Sequence, residues 1–359
     1  MASGIPILNL YYLLTYAWDH YRPGETREIA AEQCPDLENL FAVMLAGGLR
    51  QLAHQGVDRD YTPHIEETSR LRGRLHIMES QRRQTHLAGR MICTFDELSP
   101  DVLHNQILRS TAARLIVCHE LTHENRSQLR HALAPLQTVR EIPLSAQIFR
   151  RVQLHRNNRI YRFLLNLCEL VHRLILPAEK TTGEHRIQDI LQDEVVMHRL
   201  FEQFVRNFAT RHFPDARVSA KSVNWQVEAD AASLDHLPGM FTDVTMEWPD
   251  RKLIADCKYY SETMTSQHGT PKLKSENLYQ LVSYLKNQAV TPGWEQVEGL
   301  LIYPAMGFQI DLRYRLLGHR VRAASLDLNQ SWKDVHEQLS SLLSLIPADE
   351  TKATLTPGK

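Results

Sequence analysis

The chain has 359 residues, with 41 Lys and Arg against 42 Asp and Glu and a formal net charge of −1. That balance excludes a uniformly basic nucleic-acid coat and an acidic disordered chain. A hydrophobic content of 43% is that of a folded globular protein, and at roughly 150 residues per domain the length predicts two domains.

The apolar stretch 5–17 opens the chain. It has no preceding Lys or Arg and runs into Trp18-Asp19-His20, so it reads as a buried helix or strand–helix entry rather than a leader or a membrane span. Apolar periodicity predicts a helix over 37–54, strands over 61–65 and 75–78, and one long helix over 105–133. A further helix over 161–176 stops at Pro177 and is followed by a connection through Gly183. A functional boundary is expected within 150–185. We place it so that 1–160 forms an N-terminal mixed α/β domain and 161–359 a second domain.

Beyond it the pattern changes. A long amphipathic helix is predicted over 187–213. Strands follow over 225–229, 240–248, 252–257, 299–303 and 321–328, with helices over 276–288 and 332–345. This is an α+β or α/β arrangement in which helices flank a mixed central sheet.

Five cysteines without a CxxC pair argue against a disulfide framework or a cysteine-rich zinc site, and a reducing cytoplasm is the expected compartment. No later segment reaches transmembrane length, so no membrane is expected. None of the 15 glycines forms a phosphate loop or a dinucleotide fingerprint, so this chain is not expected to bind a nucleotide itself.

The segment Asp243 to Lys258 carries the chemistry. Pro249-Asp250 is a turn signal between two apolar runs. A hairpin centred there pairs 248 with 251 and, further out, Asp243 with Asp256. Lys258 follows two residues on, on the same face. Opposed carboxylates repel unless a cation compensates them, and carboxylates with a backbone carbonyl such as that of Cys257 are ligands for Mg²⁺. A neighbouring lysine can hold an attacking water and stabilise developing negative charge. Spacing alone fits two solvated strand acids equally well. The apolar run around Asp256 favours a buried strand, where a bare carboxylate is costly. Glu202 sits among apolar residues on the preceding helix, and Gln280 and Tyr284 lie four apart on the following one.

This set resembles the PD-(D/E)xK nuclease superfamily. The segments Asn277–Tyr284, Ala255–Tyr260, Gly299–Pro304 and Ile5–Trp18 are similar to the McrC family, the nuclease subunits of McrBC modification-dependent (type IV) restriction systems. Arg72–Leu75 and Thr94–Leu98 fit the same family. The resemblance implies a Mg²⁺-dependent endonuclease using one or two ions. Asp243 and Asp256 would be its metal ligands, Lys258 the catalytic lysine, and Glu202 (or Glu194) the helix acid near the metal. Gln280 and Tyr284 would be supporting residues. The resemblance also implies that the N-terminal part docks on, and stimulates, a McrB-like AAA+ GTPase ring, and that double-stranded DNA with modified cytosine is the substrate.

Charge is locally uneven. Residues 69–90 hold six arginines and one acid, and Arg70, Arg72, Arg74, Arg82 and Arg83 are candidates for partner docking or GTPase stimulation. Arg150–Arg162 forms a second patch. Arg313, Arg315, Arg320 and Arg322 form a third, where DNA contact is expected; scattered solvated charge explains any single patch equally well. Two other functions compete. One is a non-catalytic GTPase-activating adaptor on a nuclease fold. The other is a zinc metallopeptidase, because His119-Glu-Leu-Thr-His123 matches HExxH; that pattern is weak in a chain with 18 histidines.

Overall fold

The structure is a computed structural model and describes residues 5–20, 34–154, 158–177, 185–187, 193–259, 264–267, 270–305 and 309–344. It contains two compact units: Glu32–Gln188, here called the inserted unit, and Met1–Ala31 with Asp189–Lys359, here called the terminal unit. The division therefore differs from the expected 1–160 and 161–359.

Helix α1 (Ile7–Ala17) explains half of that difference. Buried Asn9 donates from Nδ2 to the carbonyls of Leu328 and Gln330, each at 2.8 Å. Tyr12 stacks on Trp332 with ring centroids 4.1 Å apart, and Tyr16 meets His212 at 2.8 Å. The helix thus buries its apolar residues against partners some 200 to 320 positions away, a pairing that local periodicity does not encode.

The inserted unit begins with α2 (Leu37–Gln55). Asp36 caps it by accepting from the Asn39 amide at 2.9 Å, and Gly56 ends it at φ +89. Strand β1 (Asp60–Thr68), strand β2 (Arg74–Leu75) and strand β3 (Met91–Ser99) form an antiparallel sheet in the order β1-β3-β2. Gly73 turns the chain at φ +66 where a Cβ would strike the Thr94 carbonyl. The strand expected over 75–78 stops at Leu75, and Ile77–Arg82 is a short helix instead.

The predicted single helix over 105–133 is two helices, α3 (Leu103–Ile116) and α4 (His123–Ala132). Asn39 of α2 holds the break. It donates to the Glu120 carbonyl at 3.0 Å and accepts from the Thr122 amide at 3.1 Å and from Asn125 Nδ2 at 2.8 Å. Thr122 then caps α4 through the Asn125 amide. These polar bonds satisfy the chain ends that a break exposes. Helix α5 (Arg159–Leu174) completes the core, with Phe163, Leu164 and Leu167 buried.

The terminal unit resumes with α6 (Glu194–His212), capped by Asp193 through the Val196 amide at 3.0 Å. The expected start at Ile187 falls partly on 188–192, outside the described residues. Val196, Met197, Leu200, Phe201, Phe204, Val205 and Phe208 make its buried stripe. The sheet has six strands: β4 (Arg217–Ser219), β5 (Val244–Glu247), β6 (Lys252–Cys257), β7 (Glu298–Pro304), β8 (Asp311–Leu316) and β9 (His319–Leu326). Their spatial order is β8-β9-β7-β6-β5-β4. β6, β7 and β9 run parallel, while β5 and β8 pair antiparallel with β6 and β9. This is the expected class, a mixed sheet flanked by helices.

Helix α7 (Ser275–Gln288) lies between β6 and β7 in sequence and packs on both. Gly299 lets it approach: a Cβ there would lie 2.9 Å from Leu285 and 3.0 Å from Leu281. Helix α8 (Trp332–Ser344) closes the unit through Val335, Leu339 and Leu343. Two strand expectations fail in opposite ways. Residues 225–229 form no strand, because the segment is exposed and pairing ends at Ser222–Val223. Strand β8 was not expected, although Leu312, Tyr314 and Leu316 alternate toward the core. Among the described residues, no helix is long and apolar enough to cross a membrane.

Candidate active site

The hairpin that carries the site has the anticipated register. Trp248 donates its amide to the Arg251 carbonyl at 2.9 Å across the Pro249-Asp250 turn. The ladder then pairs Lys252 with Glu247 through Ala255 with Val244. Pairing stops one step before Asp243 and Asp256 would face each other. The strand has bent there, and Asp243 Oδ2 instead accepts the Cys257 amide at 2.7 Å.

Asp256 lies in the centre of the sheet, fully buried beside parallel β7. Its Oδ2 meets Lys258 Nζ at 2.9 Å, and neither carboxylate oxygen accepts a hydrogen bond with good geometry among the described residues. Lys258 is also buried, and its amide donates to the Ile302 carbonyl at 2.9 Å, which extends the parallel ladder. Its ammonium donates to Gln280 Oε1 at 2.8 Å, and Gln280 Nε2 donates to the Tyr284 hydroxyl at 2.6 Å. The four-residue spacing on α7 thus delivers a lysine–amide–phenol chain to the strand end.

Burial and like charge disfavour full ionisation of the two carboxyls. Burial, then the neighbouring Asp256 and Glu202 charges, push the Asp243 carboxyl up to about 7. Burial also raises Asp256, against the pull of Lys258. Between them, the Cys257 thiol is driven well above its usual range by burial and is inert as a nucleophile.

Glu202 is close enough to affect both aspartates, but it is engaged with His198 on the same helix at 2.8 Å. That bond is the main cause raising the His198 imidazolium. Among the described residues, no three His, Cys, Asp or Glu side chains gather as a metal-holding group. Glu194, the substitute acid, begins α6 two turns earlier. Two hard carboxylates still suit Mg²⁺, which commonly takes one or two and fills its remaining positions with water and substrate phosphate. Asp256 Oδ1, buried and without a donor, is the atom that most needs such a cation.

Sequence reasoning missed His198 and Arg206. Arg206 Nη1 donates to the Asp243 carbonyl at 2.9 Å. Both stand four residues from Glu202, so helical spacing alone could have found them.

The competing motif loses its geometry. His119, Glu120 and Leu121 lie in the break between α3 and α4, so His119 and His123 do not share a helix face. The arginine candidates are distributed unequally. Arg72 pairs with Glu66 at 2.7 Å and covers the Phe95 ring at 3.7 Å. Arg82 and Arg83 both reach Glu79, at 3.0 and 2.6 Å. Arg70 and Arg74 are exposed. In the expected DNA-contacting patch, Arg313 and Arg322 share Asp311, and Arg320 shares Glu298 with Arg251, so the four arginines meet two carboxylates and the patch stays net positive. The patch at 150–162 is partly outside the described residues.

A mixed sheet that ends in a buried Asp256–Lys258 pair beside half-buried Asp243 defines an α/β protein with a carboxylate–lysine site. Comparison with known proteins narrows this. The family described as "McrBC 5-methylcytosine restriction system component" matches residues 9–304, and the chain belongs to it. It is 31% identical over 336 residues to the type IV methyl-directed restriction enzyme EcoKMcrBC of Escherichia coli strain K12, covering 93% of this chain and 96% of the relative. Its fold is similar to a chain in a half-complex of Thermococcus gammatolerans McrB AAA+ hexamers with bound McrC. The TM-score is 0.56 at 18% identity, covering 94% of this chain and 75% of that one.

Proposed function

We propose that this chain is the McrC-type, PD-(D/E)xK endonuclease subunit of a GTP-dependent restriction complex that cuts DNA carrying modified cytosine. The observation that carries the reading is the desolvated Asp243–Asp256 pair with Lys258 locked beside it. Asp243 and Asp256 would hold Mg²⁺, with Glu202 available from α6. When bound, the cation offsets the paired negative charge, polarises the scissile phosphate and makes water a stronger nucleophile.

The chain's own residues do the rest. Lys258 presents a fixed ammonium where the phosphate gains negative charge. Gln280 keeps that ammonium aimed, and Tyr284 keeps the Gln280 amide from flipping. Burial strengthens each of these interactions by excluding water. The inserted unit would dock on a McrB-like AAA+ ring and stimulate its GTP hydrolysis; its exposed arginines are the candidates. The names of the bacterial relative and of the archaeal complex support this partner and substrate.

The test uses the full chain copurified with its AAA+ partner, GTP, Mg²⁺ and methylated DNA. Asp256→Ala and Lys258→Ala should each lower cleavage by at least about 10²–10³-fold. GTPase stimulation should be unchanged. Normal cutting by either variant sinks the site assignment. A wild-type complex that stimulates GTP hydrolysis but cuts nothing would leave the adaptor reading.

A further inference from the structure

We propose that Arg206 is a positioning residue for Asp243, fixing its backbone so that its carboxylate stays beside Asp256. This rests on the phosphodiesterase reading above and deepens it. The need arises from the bend. Thr242 and Asp243 lie between the Met240–Phe241 strand, which pairs with Ser222–Val223, and β5, which pairs with β6. Asp243 is therefore outside both ladders, and sheet pairing does not set its orientation.

Two bonds fix the residue in place of a ladder. The Cys257 amide holds Oδ2 at 2.7 Å, and Arg206 Nη1 holds the carbonyl at 2.9 Å. One anchor is on the side chain and the other on the main chain, so together they fix both ends of the residue. Thr242 steadies the preceding position by donating its amide to the Lys221 carbonyl at 2.9 Å.

Arg206 is placed for this task by α6. His198, Glu202 and Arg206 recur every four residues and share one face. His198 restrains Glu202, and Arg206 restrains Asp243, so one helix face organises the acidic edge of the site. Arg206 meets Asp243 at its carbonyl, so its action runs through the backbone. It touches neither the reacting atoms nor a carboxylate oxygen of Asp243.

The experiment compares wild type with Arg206→Met and Arg206→Lys in the full chain with its AAA+ partner. Mn²⁺ binding without DNA is read by calorimetry, and cleavage is read across a Mg²⁺ titration. Outer-shell partners of metal ligands are typically worth about 10–100-fold in metal affinity or activity. Arg206→Met should weaken Mn²⁺ binding and raise half-saturating Mg²⁺ within that range, with cleavage recovering at high Mg²⁺. Arg206→Lys keeps a donor and should restore most of the loss. GTPase stimulation and Tm should stay near wild type in both. A folded Arg206→Met variant with wild-type metal affinity overturns the inference. If Arg206→Met does not fold, Arg206→Lys decides: wild-type metal affinity with a broken carbonyl contact, seen in its crystal structure, also overturns it. Weakened Mn²⁺ binding in a system whose wild type cuts no DNA would uphold the positioning role and reject the nuclease reading.

Discussion

Two antiparallel strand pairs in this molecule carry similar charges and use them differently. In the terminal unit, β5 and β6 bury Leu253, Ile254, Ala255 and Asp256 almost completely. In the inserted unit, β1 and β3 pair over nine residues, yet β1 is exposed nearly throughout. Two acids of β1 are met by cations at the surface: Glu66 by Arg72 at 2.7 Å and Glu67 by Arg90 at 3.7 Å. Asp256 pairs with Lys258 at 2.9 Å in the buried interior. Water screens the first set, whereas desolvation displaces the protonation of the second. Charge type is thus a poor guide to function until burial is known.

Substitutions can break this contrast. The largest effect is expected where the terminal unit is packed. Phe204 is fully buried among Tyr16, Phe201, Phe208 and Trp332. Phe204→Ala should cost about 3–5 kcal/mol in chemical denaturation. The same truncation at Tyr61 on β1, which is 68% exposed, should be close to neutral. Equal losses at the two positions would show that β1 is covered in the free protein.

A smaller effect concerns pH. Burial, His336 and Arg211 lower His212 from 6.5 to about 4. Between those values the unfolded chain binds a proton that the folded chain refuses. Stability contributed by neutral His212 is therefore present above about 6.5 and is lost as pH falls toward 4. The slope is at most about 1.4 kcal/mol per pH unit, and less here because the ring is partly exposed. His212→Gln should flatten the acid limb of a Tm-against-pH curve, and an unchanged limb would exclude His212 as its cause. The smallest effect is at the surface. Arg72→Ala should change stability by less than about 1 kcal/mol, because its partner Glu66 is half exposed. If Arg72 serves the partner, the substitution should instead lower GTPase stimulation, measured on the same preparation.

Local features were the legible ones. The turn at Pro249-Asp250 sets the hairpin register because an antiparallel ladder counts outward from its turn. Lys258 follows Asp256 by the two-residue period of a strand, and Gln280 and Tyr284 follow the four-residue spacing of a helix. What failed was also local in appearance. Residues 105–133 have the periodicity of one helix, but Asn39, far earlier in the chain, satisfies a break at 117–122. Residues 225–229 have strand composition but no partner strand. The arginines of 313–322 looked like an open basic surface, yet three of them are tied to Asp311 and Glu298 once β7, β8 and β9 align.

The sequence by itself determined where Asp243, Asp256, Lys258 and Gln280 stand along the hairpin and the helix, because turn position and the periods of strand and helix are local properties. Only the tertiary structure decided what state those groups are in. The depth of the sheet raises the two carboxyls, the bend at Asp243 moves it off the ladder, and Arg206 holds it there. Only the tertiary structure, too, returned α1 to the far end of the chain. Burial and long-range contact depend on which surfaces meet, and that is a property of the folded whole rather than of any window of residues.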